Sequence, residues 1–331
     1  MNNQNMKTIF SGIQPSGDLT IGNYFGAIKN WLKLKDEYNC FFCIVDLHAI
    51  TVKQEPKKLR EKILEVLAIY LACGIDPNKS NLFIQSHVST HAELSWILNC
   101  YTYMGELSRM TQYKEKSLKV GESIPVGLFT YPILMASDIL LYNTDLVPVG
   151  SDQKQHLELA RDIAERFNSL YSETFKIPEP YIVQNSSRIM SLQNPLKKMS
   201  KSDENENSYL KIMDDENSIK RKISRSITDS MGVISYNDDQ PGIKNLINIL
   251  ISITGETPKE VEERFEGKGY GELKKELTSL LIDELSPIQK QVNEFMKNKD
   301  YLEEVYTKGK ETAYIVSNKI LRKVKRKIGF I

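Results

Sequence analysis

A lysine-rich stretch just past the middle of the sequence holds a dense set of chemically active side chains. It reads Lys197-Lys-Met-Ser-Lys-Ser202, and the acidic, Asn-rich run 203–208 follows it directly. A lysine ammonium is a compact point charge on a flexible stem, so it can follow the oxygen atoms of a phosphate group as they move. The stretch is too polar to pack in a core, which favours a loop that binds anionic groups.

The segment that leaves the first predicted strand also has residue types suited to a ligand. A strand is predicted over residues 8–11, and the loop Gly12-Ile-Gln-Pro-Ser-Gly17 follows it. Thr20-Ile-Gly-Asn23 then opens a helix, whose N-terminus offers backbone N–H groups and the positive end of the helix dipole to a phosphate. Taken alone this signal is weak, because capped helices after Gly and Pro turns are common where nothing binds.

A second strand–turn–helix unit repeats this arrangement near residue 150. Residues 146–149 are predicted as a strand, Gly150-Ser-Asp152 as a turn, and the helix after it runs through Phe167. A carboxylate at such a turn can hold ribose hydroxyls, and ligands of open α/β sheets lie outside the carboxyl ends of the strands. Together with the lysines, the two units predict a nucleotide site, although the sequence has no G-x-x-x-x-G-K-[ST] phosphate loop.

Short apolar runs alternate with helical periodicity in the first half of the chain. Apolar residues three or four apart indicate amphipathic helices, and Thr90-His-Ala-Glu93 is predicted as a capping box that opens one of them. Alternating strands and helices predict βαβ units, and therefore an α/β fold with a parallel, Rossmann-like sheet. The predicted strands cover residues 8–11, 41–46, 82–85 and 146–149.

A change of sequence texture divides the chain. Residues from about 205 to 298 have helical periodicity and almost no strand signal. We therefore predict an α/β domain over residues 1–192, an all-helical domain over 193–298 that begins with the lysine-rich stretch, and a helix over 299–331 that packs back on the first domain. Eight Lys or Arg residues but only one acidic residue, Glu311, follow Val305. This basic helix indicates either a nucleic-acid contact or a solvated charged face.

Composition and cysteine usage exclude several classes of protein. The sequence has no run of eighteen apolar residues and no signal-peptide pattern at its N-terminus, so we expect a cytoplasmic protein. Four cysteines in 331 residues do not make a disulfide framework. Cys40 and Cys43 lie three apart on a predicted strand and so point to opposite faces, which disfavours a shared metal. His87 and His91 straddle a helix start, which disfavours a metal site there as well.

Two of these motifs resemble signature elements of class I aminoacyl-tRNA synthetases. Thr20-Ile-Gly-Asn23 is similar to the HIGH element, with Thr at its first position, and Lys198-Met-Ser-Lys-Ser202 matches the KMSKS element. They occur in this order, about 175 residues apart. The resemblance is to bacterial-type tryptophanyl-tRNA synthetases and extends over residues 6–331. It also includes the stretches IQPSGDLTIGNYFGAI, CIVDLHAIT, RMTQYKEKS, LMASDILLYNTDLVPVGSDQKQHLELARDIAERFN and RIMSL.

The resemblance implies a two-step reaction. Tryptophan and ATP, the latter with Mg²⁺, give tryptophanyl-adenylate and pyrophosphate, and the tryptophanyl group then passes to the 3′-terminal adenosine of tRNA(Trp). It also implies a homodimer, an anticodon-binding role for residues 193–298, and no structural metal, membrane or DNA partner. Adenylate formation requires little covalent chemistry from the protein, so catalysis depends on positioning and on stabilising the charge of the phosphates.

The nucleotide-binding residues of the family carry over to named positions. Lys198, Lys201 and Lys116 would hold the transferring phosphates and pyrophosphate, and Asn23 would also reach phosphate. Gly22 would leave space for adenine. The remaining ATP-binding positions that the resemblance implies are Gln14, Pro15, Ser16, Thr20, Gly150, Ser151, Asp152, Ile189, Met199, Ser200 and Ser202.

The resemblance also implies a pocket selective for tryptophan. Indole offers one N–H donor and no acceptor, so such a pocket needs an apolar slot and one fixed acceptor. Asp138 matches the family residue that accepts this hydrogen bond, while Tyr131 and Gln153 would meet the amino group of the substrate. Without the resemblance, Asp138 is more simply explained as a helix carboxylate paired with a nearby lysine. The apolar walls would be Phe10, Met135, Val147 and Val149.

Two other functions are compatible with these motifs. A tyrosyl-tRNA synthetase shares the fold and the signatures, but usually places a Tyr and an Asp around the substrate hydroxyl. A non-catalytic relative that binds tryptophan, ATP or RNA as a regulator is the second, although the presence of Lys198, Lys201, Asn23 and Asp138 disfavours a loss of activity. Amino-acid-dependent exchange of pyrophosphate into ATP distinguishes the three.

Overall fold

A parallel five-stranded sheet forms the centre of the fold in a computed structural model, which describes residues 6–114, 123–150, 153–181, 188–201 and 203–330. The strand order is β3-β2-β1-β4-β5, and every neighbouring pair is parallel. The predicted α/β fold with a Rossmann-like sheet is confirmed. The strands are β1 (Thr8–Ile13), β2 (Asn39–Ile44), β3 (Asn81–Ile84), β4 (Leu146–Pro148) and β5 (Glu179–Tyr181).

The strand order places a topological switch point beside β1. The chain continues from β1 to β2 and β3 on one side, and later adds β4 and β5 on the other side. Helices that start after β1 and β4 therefore diverge, and the carboxyl ends of these two strands border a common crevice. The two predicted strand–turn–helix units meet at this point.

Helices cover both faces of the sheet. A continuous helical stretch follows β1, namely α1 (Ile21–Asn23), a π-helical turn (Tyr24–Ile28) and α2 (Lys29–Leu34). In the described residues before β5, the other α-helices are α3 (Asp46–Ala49), α4 (Pro56–Ala72), α5 (Thr90–Asn99), α6 (Met104–Ser108), α7 (Val126–Leu140) and α8 (Lys154–Tyr171). Except for the single-turn helix α3, each contributes buried residues to one of two apolar clusters, one on each face of the sheet.

Thr90 and the cysteine pair test two of the finer predictions. The capping box at Thr90 is wrong: α5 begins at Thr90 itself after the N-cap Ser89, and the Thr90 hydroxyl donates to Ser317 Oγ at 2.8 Å in the last helix. The Thr90 hydroxyl therefore bonds a residue that is distant in the sequence, Ser317, and does not cap the helix. The prediction that Cys40 and Cys43 point to opposite faces of the strand is confirmed, because each is buried in a different apolar cluster.

Four helices make up the region that follows the lysine-rich stretch: α9 (Glu216–Ser224), α10 (Pro241–Thr254), α11 (Pro258–Arg264) and α12 (Tyr270–Lys297). Leu273, Leu277, Leu281 and Leu285 are all fully buried on one side of α12. This spacing gives an apolar stripe along the helix. The stripe joins the apolar cluster that also contains α4, so the core of this region is continuous with one layer of the sheet domain.

The last helix, α13 (Lys299–Lys327), lies against β3 and α5. Gly309 permits this approach, because a Cβ atom there would lie 1.7 Å from the Leu82 carbonyl oxygen. The apolar residues Ile320 and Val324 are buried, while Lys325 pairs with Glu93 of α5. None of the described helices has the length and apolar character needed to span a membrane.

Candidate active site

The loop after β1 forms one wall of the candidate site. Gly12 is required there, since a Cβ atom would lie 2.8 Å from Val45 Cγ1. Gln14 donates its Nε2–H to the His48 carbonyl oxygen at 2.8 Å, which ties the loop to the turn after β2. Pro15 is buried and Ser16 is half-buried. These contacts fix the backbone of the loop at the carboxyl end of β1.

The start of α1 is closed by its own side chains and by a distant segment. Asn23 accepts hydrogen bonds through Oδ1 from the Thr20 N–H and hydroxyl, at 3.0 and 3.1 Å. The amide N–H group of Asn23 is therefore the part of this side chain that could reach a phosphate. The Ile21 N–H donates to the Leu210 carbonyl oxygen at 2.9 Å. One of the helix-start N–H groups expected to face a ligand is thus occupied by the protein itself.

The lysine-rich stretch is more ordered than its polarity predicts. It pairs with the residues before it as an antiparallel hairpin, in which the Met199 N–H donates to the Ile189 carbonyl oxygen at 3.1 Å. Lys198 and Ser200 are exposed, but Met199 is buried. The expectation of a stretch too polar to pack is wrong at Met199, because a single apolar side chain anchors the loop.

The two signature motifs meet at Gly22. A Cβ atom at Gly22 would lie 3.9 Å from Met199 Cβ and 4.0 Å from Ile189 Cβ. Residues far apart in the sequence are therefore neighbours above the end of β1. A side chain larger than hydrogen at position 22 would fill the space between the motifs, where the resemblance places adenine.

Lys201 reaches back over the loop after β1. Its Nζ donates to the Gln14 carbonyl oxygen at 3.4 Å, and its Cδ lies close to Gly17. Burial lowers the pKa of Lys201 to about 8, which the nearby carboxylate of Asp18 only partly offsets. A cationic side chain so placed favours an anionic ligand, because a phosphate would replace the hydration that burial removes.

The acidic run after the lysines has a structural role. Asp203 Oδ1 accepts from the Asn205 N–H and Asn205 Oδ1 accepts from the Asn207 N–H, both at 3.0 Å. Each side chain bonds the backbone two residues on, which is how Asp and Asn form tight turns. The Asp and Asn residues of this run therefore fold the chain back after the loop.

The predicted walls of the tryptophan pocket lie together on one face of the sheet. Phe10 and Val147 are buried in the same apolar cluster, and Met135 and Val149 pack against that cluster. Phe10 also stacks on Tyr142, with ring centroids 5.5 Å apart. The structure thus brings the four wall residues to one side of β1 and β4.

Asp138 is the most buried charged group of the site, with 1% of its surface exposed. Three donors hold its carboxylate: His48 Nε2 at 2.8 Å, Gln85 Nε2 at 2.7 Å and His91 Nδ1 at 2.6 Å. The alternative of a lysine partner is wrong. Burial alone would raise the pKa of Asp138, but the hydrogen bonds from His48 and His91 outweigh burial and hold it below its usual value.

The hydrogen bonds to Asp138 leave one acceptor position, on Oδ2, without a protein donor among the described residues. A carboxylate has about four acceptor positions, and three of them are used. The three protein donors also fix the orientation of the carboxylate, so a ligand N–H would meet an acceptor already in place. This is the chemistry that indole recognition requires.

The sequence did not identify His48, Gln85 and His91 as the partners of Asp138. Gln85 also accepts from the Leu47 N–H at 3.1 Å, and the second ring nitrogen of His91 lies 2.7 Å from the Tyr142 hydroxyl oxygen. His48 occurs in the CIVDLHAIT stretch, and the family resemblance of that stretch was the only sequence feature that could have pointed to His48. His87, weighed with His91 as a metal pair, instead faces the ring of Tyr306. The described residues contain no group of three or more His, Cys, Asp or Glu side chains that could hold a metal ion.

The remaining predicted site residues are placed in part. The Tyr131 hydroxyl lies 2.7 Å from His156 Nε2 and 3.1 Å from Gln112 Oε1, and burial raises its pKa. The Gln153 N–H, just before α8, donates to the Gly150 carbonyl oxygen at 3.0 Å. Four predicted positions lie outside the described residues: Lys116, Ser151, Asp152 and Ser202.

The chain is similar to known proteins over nearly its full length. The family described as tRNA synthetases class I (W and Y) matches residues 1–286. A tryptophan–tRNA ligase of Clostridium tetani is 62% identical over 327 residues, covering 99% of this chain and 97% of that protein. The corresponding ligase of Clostridium perfringens is 61% identical over 325 residues, covering 98% of both.

Solved structures of similar sequence share the fold over nearly the full length. The crystal structure of tryptophanyl-tRNA synthetase from Mycoplasma pneumoniae has a TM-score of 0.92 and 34% identity, covering 98% of each chain. The crystal structure of the Campylobacter jejuni enzyme, complexed with ADP and tryptophan, has a TM-score of 0.83 and 37% identity, covering 97% of this chain and 99% of that chain.

Proposed function

This chain belongs to the class I tRNA synthetases of the W and Y family, it acts as a tryptophan–tRNA ligase, and we propose that the site above β1 and β4 forms tryptophanyl-adenylate. Tryptophan, ATP and tRNA(Trp) are its substrates. The observation that carries the proposed location is the meeting of the two signature motifs at Gly22, where a Cβ atom would lie 3.9 Å from Met199 Cβ. The two motifs meet at the switch point of the sheet, where ligands of such folds bind.

In the proposed reaction the tryptophan carboxylate attacks the α-phosphorus of ATP, and pyrophosphate leaves. Negative charge builds on the phosphate oxygens in the transition state, and the site supplies cations and N–H groups that are fixed before the reaction. Lys201 and Lys198 take this role, with the Asn23 amide directed to the same phosphates. Gly22 and Ile189 border the adenine. Lys116, Ser151, Asp152 and Ser202 stay proposals from the resemblance alone.

Asp138 determines the choice of amino acid in this proposal. Indole presents a single N–H, and the free acceptor position of Asp138 accepts from it while Phe10, Met135, Val147 and Val149 pack on the ring. A side chain without that N–H would leave a buried charge with one donor fewer, which costs affinity. Tyr131 and Gln153 hold the amino group.

Mg²⁺ enters this reaction as part of the substrate. It binds ATP through phosphate oxygens, usually with few protein ligands and several retained waters. The ion neutralises charge on the departing pyrophosphate, and the lysines of the site bind the phosphate oxygens that the ion does not contact.

The helical region is the proposed anticodon-binding part of the chain. A groove of about 780 Å³ lies between α9 and α12, and its lining includes Lys220, Lys274 and Lys275. Such a groove attracts phosphates of RNA, which supply much of the affinity of protein–RNA contacts. The exposed lysines and arginines of α13 provide a second basic surface. Charging of tRNA takes place in the cytoplasm, which is the location we propose.

A homodimer is also part of the proposal. Large apolar side chains are exposed on neighbouring elements of the sheet domain, including Trp96 of α5, Met104 of α6 and Val126 of α7. The start of α7 lies next to residues 50–52, because a Cβ atom at Gly127 would be 4.0 Å from Thr51 Cγ2. An exposed apolar surface of this kind is typical of an interface between subunits.

Exchange of labelled pyrophosphate into ATP tests the proposed function. The purified chain is expected to catalyse exchange with tryptophan and not with tyrosine. Exchange with tyrosine alone would assign the other activity of the family, and a complete lack of exchange under conditions in which the protein is folded would indicate a non-catalytic relative.

A further inference from the structure

Asp18 lies at the centre of a group of charged side chains beside the lysine-rich loop. Its Oδ1 is 2.5 Å from Lys62 Nζ, and its Oδ2 is 2.7 Å from Lys211 Nζ. Lys62 also binds Glu65 at 2.8 Å. The three partners of this cluster come from the loop after β1, from α4 and from the segment that follows the lysine-rich loop. One carboxylate thus joins three parts of the chain.

The ion pairs are reinforced by backbone pairing. Residues 210–212 run antiparallel to residues 19–21, with hydrogen bonds from the Ile21 N–H to Leu210 O at 2.9 Å and from the Ile212 N–H to Leu19 O at 2.8 Å. Lys211 lies in the middle of this pairing. The pair between Asp18 and Lys211 therefore fixes the chain downstream of the lysine-rich loop to the chain upstream of α1.

Lys201 is the lysine of this cluster that is left for a ligand. Within the described residues, no carboxylate lies at ion-pair distance from its Nζ, which donates instead to the Gln14 carbonyl oxygen. Asp18 and Glu65 together balance the charges of Lys62 and Lys211, and each of these lysines is about three-quarters buried. Without Asp18, three lysine ammonium groups would stand unpaired or singly paired near the place where phosphate is to bind.

We propose that Asp18 is a positioning residue for adenylate formation: by binding Lys62 and Lys211 together, it holds the lysine-rich loop against the β1 loop and reserves Lys201 for the phosphates. The inference rests on the proposed role of Lys201. Asp18 itself need not touch the substrate, because it acts through the position and charge of the lysines.

The electrostatic surroundings of Lys201 give this proposal a distinctive signature. Asp18 stabilises the protonated form of Lys201, whereas Lys62 repels it. Removing each charge should therefore displace the titration of Lys201 in opposite directions. The charged and titratable groups around the cluster are Asp18 from the β1 loop, Lys62 and Glu65 from α4, and Glu206, Tyr209, Lys211 and Asp214 from the downstream segment.

The test compares the variants Asp18→Asn, Asp18→Glu and Lys62→Met in tryptophan-dependent pyrophosphate exchange. Asp18→Asn is expected to lower kcat about tenfold, the effect of losing one charge-assisted contact. The KM for ATP is expected to stay equal or fall, since the released lysines attract ATP before the reaction. Asp18→Glu is expected to restore most of the rate, because it keeps the charge.

The pH dependence of kcat/KM for ATP separates positioning from a general structural effect. The alkaline decline is expected to move to lower pH in Asp18→Asn and to higher pH in Lys62→Met. Asp36→Asn is the matched control, because it removes an equivalent contact with Lys79 on the exposed surface, and it is expected to leave kcat and the pH profile unchanged.

Two results would overturn the inference while the proposed function stands. In the first, the wild-type protein catalyses exchange and Asp18→Asn has the same kcat. In the second, the pH profiles of Asp18→Asn and Lys62→Met are displaced in the same direction. Lack of exchange in the wild-type protein would instead refute the proposed function. If Asp18→Asn does not fold, Lys62→Met still tests the inference: an alkaline decline of kcat/KM at higher pH supports it, and a decline at the same or lower pH contradicts it.

Discussion

The substitution Asp138→Asn tests the proposed reader of the indole N–H. The carboxylate is fixed by three protein donors, and in the proposed site its remaining acceptor position binds the substrate. A hydrogen bond to a charged group contributes about 1.5–3 kcal/mol net. Its loss predicts a fall in kcat/KM for tryptophan of roughly 10- to 150-fold, since 1.36 kcal/mol is a factor of ten. The KM for ATP is expected to change by less than about threefold, because the proposal places Asp138 on the amino-acid side of the site.

Asn is a better choice than Ala at this position. Asp138→Ala would leave His48, Gln85 and His91 with buried donors and no acceptor, at about 1–3 kcal/mol for each, and would confuse a folding defect with a loss of recognition. Ser137→Ala is a suitable control. Its hydroxyl donates to the His91 carbonyl oxygen at 2.9 Å and is buried beside Asp138, so it reports local disturbance without changing the acceptor.

The assay is pyrophosphate exchange with tryptophan and with β-(3-benzothienyl)alanine, in which sulfur replaces the indole N–H. Wild-type protein is expected to prefer tryptophan, and Asp138→Asn is expected to lose most of that preference because the isostere never made the hydrogen bond. Equal losses for both substrates would refute the assigned role of Asp138. So would a loss in Ser137→Ala as large as that in Asp138→Asn.

Three further substitutions test other parts of the structure. Lys201→Met is expected to lower the exchange rate by about 10²- to 10³-fold. It is not expected to lower Tm at pH 7. Folding lowers the pKa of Lys201 to about 8, so below that pH the charge of this lysine opposes folding. Gly309→Ala is expected to lower the free energy of unfolding, measured with urea, by at least about 1–3 kcal/mol, because its Cβ would collide with the β3 backbone. Gly271→Ala is the control: its Cβ would meet open space, so this change is expected to be neutral or stabilising. Lys222→Met removes one partner of a buried ion pair, with Asp214 at 2.6 Å, and is expected to cost about 3–5 kcal/mol in the same assay; a cost below about 1 kcal/mol would contradict it.

Local sequence patterns predicted most of the fold. The apolar runs at β1, β2, β3 and β4 are short and β-rich, and they alternate with helical spacing, so the parallel sheet follows from them. The strand β5 was missed, since Glu179-Pro-Tyr181 has neither the length nor the alternation of a strand. It exists because β4 offers it a hydrogen-bonding edge, which is a tertiary cause.

The site was predictable only where a motif carries it. Gly22 and Met199 belong to short motifs that can be recognised, and the structure brings them together. The donors to Asp138 come from the turn after β2, the end of β3 and α5, and their convergence depends on the packing of these elements. The pairing of residues 19–21 with 210–212 joins segments about 190 residues apart. Composition and periodicity describe single elements and give no information about such contacts.

Charging of tRNA tests the central claim most directly. Purified protein is incubated with ATP, Mg²⁺ and transcripts of tRNA(Trp) or tRNA(Tyr), with tryptophan or tyrosine, and acylated tRNA is measured. The predicted result is tryptophanyl-tRNA(Trp) alone, strongly reduced in Lys201→Met. Charging of tRNA(Tyr) with tyrosine, or no charging of tRNA(Trp) by folded protein, would contradict it.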